Sequence, residues 1–329
     1  CYILVLHVYT GVSAQTKQIE SIYARSEASF EKYLTTFSDD DYKKSLELYS
    51  SAIDLCNEEG VNNMILADSY HKRGILYHIL GKFASSLQEY HKAVLVKKGL
   101  SRGVKDSIYF KELVLIGNIH HLVENYDSAE FYYDRASDIE RKFEGIYERK
   151  RLYNSLGVFY FSLGNYYQAL NHYDKAVKSL ETSDADYLTD KVRLQQNIAT
   201  AQMKLGNYQE AIDIYQQLLK EQSSSLPVLH ENIGEAYLRE GKYDSAEFFL
   251  SKSLNQRDVF GQLNTLNSLG VLYTRKGKID SARYYLNESI DINQSRLSRK
   301  NKYLSDAYQQ LAKTFEYDSS YKQVLNFYQ

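Results

Sequence analysis

The stretch "LYNSLGVFYFSLGNYYQALNHYDKAV", Leu152–Val177, decides the fold. Its small and aromatic residues Gly157, Tyr160, Gly164, Tyr166, Ala169, Tyr173 and Ala176 are separated by 3, 4, 2, 3, 4 and 3 positions. Steps of three and four keep side chains on one face of a helix, and the step of two across Gly164 breaks that period. The pattern predicts two helices joined at Gly164, which takes the left-handed conformation that ends the first, with Asn165 starting the second as its cap. Gly157 and Ala169 sit at the crossing of the two helices, where only small side chains allow close approach, and Ala176 faces the first helix of the next pair. Each tyrosine offers a broad apolar ring to the core and a hydroxyl to a partner at the edge, so Tyr160, Tyr166 and Tyr173 are read as mostly core.

The frame recurs along the chain. Gly234, Tyr237, Gly241, Tyr243, Ala246, Leu250 and Ser253 repeat it, as do Gly270, Tyr273, Gly277, Ile279, Ala282, Leu286 and Ser289. Weaker copies surround Gly74, Gly117 and Ala199, and degenerate ones lie near Tyr42 and Tyr321. The residue after each turn (Tyr42, Phe83, Tyr126, Tyr166, Tyr208, Tyr243, Ile279, Tyr321) advances by 41, 43, 40, 42, 35, 36 and 42. A fixed period of this size marks a repeat architecture, because one helix pair cannot bury its apolar face alone.

These slots resemble the tetratricopeptide repeat family. The resemblance implies an all-α fold, a right-handed superhelical solenoid of antiparallel helix pairs with about eight units, the last incomplete. The units are read as roughly 18–60, 63–101, 105–145, 146–183, 186–222, 225–256, 259–296 and 300–329, within a solenoid of 15–329. Two departures stand out. The family's usual unit is about 34 residues, so most of these units carry extra length. The proline that commonly closes the second helix is absent throughout, and the single proline, Pro227, falls where a first helix begins.

Composition sets the outer bounds. The 329 residues hold 40 basic and 42 acidic side chains, a formal net charge of −2, so the totals suggest no phosphate-binding basic face and no nucleic-acid partner. The opening "CYILVLHVYTGVSAQ" has an apolar run followed by small residues, the core and cleavage site of a secretory signal peptide, read as residual over 1–14 with cleavage after Ala14. A buried first helix or strand and a lipoprotein starting at Cys1 remain the other readings. After such cleavage only Cys56 is left, so no intrachain disulfide is available. Beyond Gln15 no uncharged apolar run reaches the length of a membrane span, so a membrane enters only through a segment missing from the given chain.

No nucleophile elbow, phosphate-binding glycine loop or zinc-protease helix motif is present, and the chain reads as a non-enzyme without cofactor or metal. His71 and His78, seven apart on one helix face, and His121 in the slot matching His78 form a secondary groove set. In the family that the repeats resemble, the first helices line the concave groove. There the positions three and two before the small residue are Asn154 and Ser155, Gln196 and Asn197, Glu231 and Asn232, Asn267 and Ser268, and Gln309 and Gln310. All but Glu231 are uncharged amides or hydroxyls. Carboxamides donate and accept together, so the row is expected either to hold an extended protein or peptide partner by its backbone, or to serve as a solvated face and caps to neighbouring helices.

The triplet Asp-Ser-Ala at Asp127–Ala129, Asp244–Ala246 and Asp280–Ala282 resembles the acceptor motif for O-linked glycans on exported Bacteroidetes proteins, and it also suits the first turn of a helix. The repeats resemble the exported sensor regions of Bacteroidetes regulators. That resemblance implies a periplasmic signal-transduction role, with a histidine kinase or helix-turn-helix output beyond Gln329. A free-standing periplasmic adaptor that assembles other proteins is the alternative.

Overall fold

The computed structural model describes residues 2–61, 63–100, 106–143, 149–183, 186–221, 227–254, 258–297 and 301–316, with backbone alone for 2–14 and 106. Among them every regular element is a helix. The chain divides into two compact units, Cys1–Phe159 and Tyr160–Gln329.

The first unit holds α1 (Tyr2–Thr36), α2 (Asp39–Glu58), α3 (Met64–Ile79), α4 (Phe83–Leu100), α5 (Phe110–Leu122), α6 (Tyr126–Lys142) and most of α7 (Arg149–Ser162), with a 3₁₀ turn over Asp106–Tyr109 before α5. The second holds α8 (Tyr166–Lys178), α9 (Tyr187–Leu205), α10 (Tyr208–Glu221), α11 (Pro227–Glu240), α12 (Tyr243–Ser253), α13 (Val259–Arg275), α14 (Ile279–Arg296) and α15 (Lys302–Glu316). Helices packed most closely are sequence neighbours, α1 on α2, α3 on α4, α5 on α6, α11 on α12 and α13 on α14, and each pair leans on the next through α2 with α3, α4 with α5, α10 with α11 and α12 with α13. This is the all-α helical-repeat architecture that the spacing implied.

Why these helices stop and restart is visible at the turns. Gly164 has φ +76, its N–H bonds to Phe161 O at 3.0 Å, and the N–H of Asn165 reaches back to Tyr160 O at 2.9 Å. The Asn165 side chain then accepts the N–H of Gln168 at 3.2 Å and caps α8. The α5–α6 turn has the same bonds without the glycine. Glu124 N–H donates to His121 O at 3.0 Å and Asn125 N–H to His120 O at 2.8 Å, so Glu124 is held at φ +60, a conformation that costs an L-residue about 1–2 kcal/mol. Pro227 opens α11, where its missing N–H leaves no bond unmade.

Packing within a pair sets a small residue on the first helix against a large one on the second. A Cβ at Gly74 would lie 2.7 Å from the ring of Tyr90, one at Gly117 2.7 Å from that of Tyr133, and one at Gly270 2.5 Å from Leu286. The glycine of the first helix thus faces the tyrosine or leucine slot of the second. The alanine slot is buried too: Ala129, Ala169, Ala211, Ala246 and Ala282 are closed to solvent. That places the last residue of each Asp-Ser-Ala triplet in the core and its aspartate in the first turn of α6, α12 or α14. Of the three tyrosines read as mostly core only Tyr173 is buried; Tyr160 and Tyr166 are half-buried.

The core runs along the repeats in small clusters, among them Phe30, Tyr33, Tyr42, Tyr49 and Leu76 in the first unit and Ala199, Ile212, Tyr215, Leu229 and Ile233 in the second. Burying one such side chain contributes about 1.5–3 kcal/mol. Backbone alone describes Tyr2–Ala14, which continues α1 without a break. The second helix expected around Tyr321 lies outside the described residues. Among the described residues no helix is long and apolar enough to cross a membrane.

Candidate functional site: a cleft on the first helices

The three histidines of the expected secondary groove, His71, His78 and His121, are spent on different partners. His71 is 3% exposed, with Nδ1 2.8 Å from Glu112 Oε1, which also accepts Lys97 Nζ at 2.7 Å. Burial would raise the Glu112 carboxyl, but pairing with His71 and the charge of Lys97 outweigh it and hold the group well below the usual carboxylate range. His71 is therefore a core residue tying α3 to α5, a correction to its expected place on an open groove. His78 meets the edge of Phe83 at 5.8 Å, and His121 packs on Phe159 at 5.6 Å. No group of three metal-ligating side chains forms among the described residues.

The row on the first helices separates into two kinds. Ser155, Glu231, Asn267 and Ser268 are each 7% exposed. Asn154, Gln196, Asn197, Asn232 and Gln310 are half-buried, and Gln309 is exposed. Three of the buried members are spent on neighbouring repeats. Asn267 Nδ2 donates to Tyr303 O at 3.0 Å, Ser268 Oγ to Glu235 Oε2 at 3.2 Å, and Glu231 accepts from Asn264 and, at 3.5 Å, from Thr265. These bonds run between α11 and α13 or between α13 and the start of α15. A buried polar atom without a partner is costly, and the helix in the next repeat supplies one.

Within the second unit a cleft of about 200 Å³, partly open to solvent, is framed by the first helices of three successive pairs. Thr200, Met203 and Lys204 come from α9, Glu231, Asn232, Glu235 and Arg239 from α11, Asn264 from α13, and Tyr215 reaches in from α10. Thr200 Oγ1 donates to Gln196 O at 2.8 Å and lies 3.0 Å from the Tyr215 hydroxyl, whose proton burial makes harder to lose. Arg239 grips one oxygen of Glu235 through Nε at 2.9 Å and Nη2 at 2.7 Å. Both carboxylates in the cleft are thereby engaged from within. Among the described residues Lys204 and Asn232 have no hydrogen-bond or ion-pair partner, which leaves one ammonium and one carboxamide open to a ligand.

The expected row contributes Glu231 and Asn232 to this cleft. The sequence reading did not name Thr200, Lys204, Glu235 or Arg239, although each stands one or five positions after the small residue Ala199 or Gly234. Repeating the position count at those two offsets would have found them. Nothing in the lining sets a nucleophile beside a base, since its hydroxyls are Thr200 and the buried Tyr215.

A helical-repeat scaffold with a cleft on its first helices is the class this defines. Residues 148–220 and 225–295 match the tetratricopeptide repeat family, so those two segments read as tetratricopeptide repeats. The family provides scaffolds suited to protein–protein interaction, generally without catalysis. No curated protein matches the sequence. Among solved structures it is similar to a tetratricopeptide repeat protein from Parabacteroides merdae, with 19% identity over 90% of this chain and 99% of that one and a TM-score of 0.56. It is also similar to the apo quorum sensor NprR from B. thuringiensis, with 16% identity, 92% and 96% covered and a TM-score of 0.58. A third is a signal transduction ATPase with a tetratricopeptide repeat sensor from Pyrococcus horikoshii, with 15% identity, 90% and 50% covered and a TM-score of 0.58. At these identities the likeness is one of fold.

Proposed function

We propose that the protein is the sensory part of an exported, periplasmic signalling regulator, and that its cleft on α9, α11 and α13 receives an extended segment of a protein or peptide partner. The observation carrying this is the pair of unengaged groups in the cleft, Lys204 and Asn232, amid lining that is otherwise internally satisfied. The Asn232 carboxamide is able to donate to and accept from one peptide unit, and the Lys204 ammonium to take up a carboxylate. Two of the similar folds belong to sensors, which supports a sensory role. The apolar opening of the chain supports export.

Fluorescent peptides of varied sequence, titrated against the purified protein and its Asn232→Ala and Lys204→Ala variants, test the cleft. Peptide binding that weakens in both variants at unchanged helicity supports it; binding equal in all three proteins refutes it. Cell fractionation tests the location, and recovery with cytosolic markers overturns export.

A further inference from the structure

The second helix pair, α3 and α4, meets the third, α5 and α6, along the contact of α4 with α5. Two different kinds of chemistry hold this seam. One is a buried charge cluster, in which Lys97 of α4 and His71 of α3 both pair with Glu112 of α5. The other is a cluster of rings. Within the third pair His120 of α5 lies on Tyr132 of α6 with centroids 5.5 Å apart and planes 6° from parallel, and His91 of α4 reaches across the seam to the same tyrosine at 5.8 Å.

The ring stack has nothing to receive a proton. His120 Nδ1 is buried and without a hydrogen-bond partner among the described residues. The charged group bearing on His91 is His120, and the one bearing on Tyr132 is Arg135, so each is a cation or becomes one. From α3 the nearby basic groups are engaged elsewhere, Arg73 by Glu89 and His71 by Glu112.

We infer that His91, Tyr132 and His120 form a pH-sensitive latch between the second and third helix pairs, closed while both imidazoles are neutral and released when they are protonated. Burial already disfavours the charged form of either ring, with each lowering its proton affinity from the ordinary histidine value. Two imidazolium ions beside one tyrosine, with Arg135 on the same helix, repel one another, and an N–H at the buried His120 Nδ1 has no acceptor among the described residues. The Glu112 cluster is different, because there the Lys97 ammonium meets a buried carboxylate. Acid therefore opens the seam on its aromatic side and leaves it joined at Glu112.

Hydrogen exchange read by mass spectrometry, corrected for intrinsic rates, is the test. From about pH 7.5 to about pH 5.5 the wild-type protein is expected to lose protection at residues 87–95 and 117–135 by about tenfold, the equivalent of one pKa unit of differential protonation. Helices α11 to α14 should change far less. The variant His91→Phe with His120→Phe keeps rings in place without titrating and should lose the pH dependence. Should that variant fail to fold, His91→Gln alone is expected to reduce the effect. Equal protection at both pH values in the wild type, or unaltered pH dependence in a folded variant, overturns the latch.

Discussion

Tyr160 at the end of the first helix of its repeat and His172 in the second lie face to face, ring centroids 5.3 Å apart and planes 9° from parallel. The same pairing recurs as Tyr273 on Tyr285 at 5.3 Å and 6°, and as Tyr237 on Phe249 at 5.6 Å and 25°. In each, a ring three positions after the glycine slot stacks on a ring three after the alanine slot. The stack closes the end of the helix pair nearest the turn, and it explains why Tyr160 is half-buried.

His172 lies half-buried in that stack, and burial, assisted by the charge of Lys175, pushes its pKa down to about 4. The folded value is below the unfolded one of about 6.5, so the unfolded chain takes up the proton first and stability falls as pH drops through that window. His172→Phe keeps an aromatic ring and removes the titration. Its Tm is expected to fall less than that of wild type between about pH 7 and pH 5; equal slopes would refute the assignment.

Glu124 occupies a left-handed turn position that glycine fills in five other described turns between paired helices. Glu124→Gly relieves the backbone and is expected to stabilise by about 0.5–1 kcal/mol after the entropy of glycine in the unfolded chain is counted. Differential scanning fluorimetry should show a higher Tm; a lower one contradicts the account of the turn.

Gly270 leaves 2.5 Å between an added Cβ and Leu286. Gly270→Ala should destabilise by about 1–3 kcal/mol through overpacking. Urea unfolding followed by circular dichroism measures it, and a midpoint unchanged from wild type would show that α13 and α14 separate at little cost.

Asn267 and Gln309 share the same slot in successive repeats but differ in employment, since Asn267 bonds to Tyr303 O and Gln309 is exposed. Asn267→Ala is expected to lose about 1 kcal/mol of stability, and Gln309→Ala to stay within about 0.5 kcal/mol of wild type. The reverse order would mean that the row does not staple the repeats.

The helix-turn-helix frame was legible because its causes are local. Gly164 and Asn165 act on the turn they occupy, and the three-and-four spacing of Gly157, Tyr160 and Gly164 follows from the helix itself. The same rules named Glu231 and Asn232 as site residues. They did not separate Asn232, open to the cleft, from Asn267, bonded to the next repeat, because that depends on how far one first helix is displaced from its neighbour.

Sequence by itself determined that this protein is all-α and built of repeated tyrosine-rich helix pairs, since periodicity and turn chemistry act over a few residues. Tertiary structure alone decided that His71 is buried against Glu112, that rings stack from Tyr160 to His172, and that Lys204 and Asn232 stay free beside engaged carboxylates. Those outcomes depend on partners 12 to 41 positions away in the chain, or on no partner arriving at all. No local pattern reports such a distance; packing does.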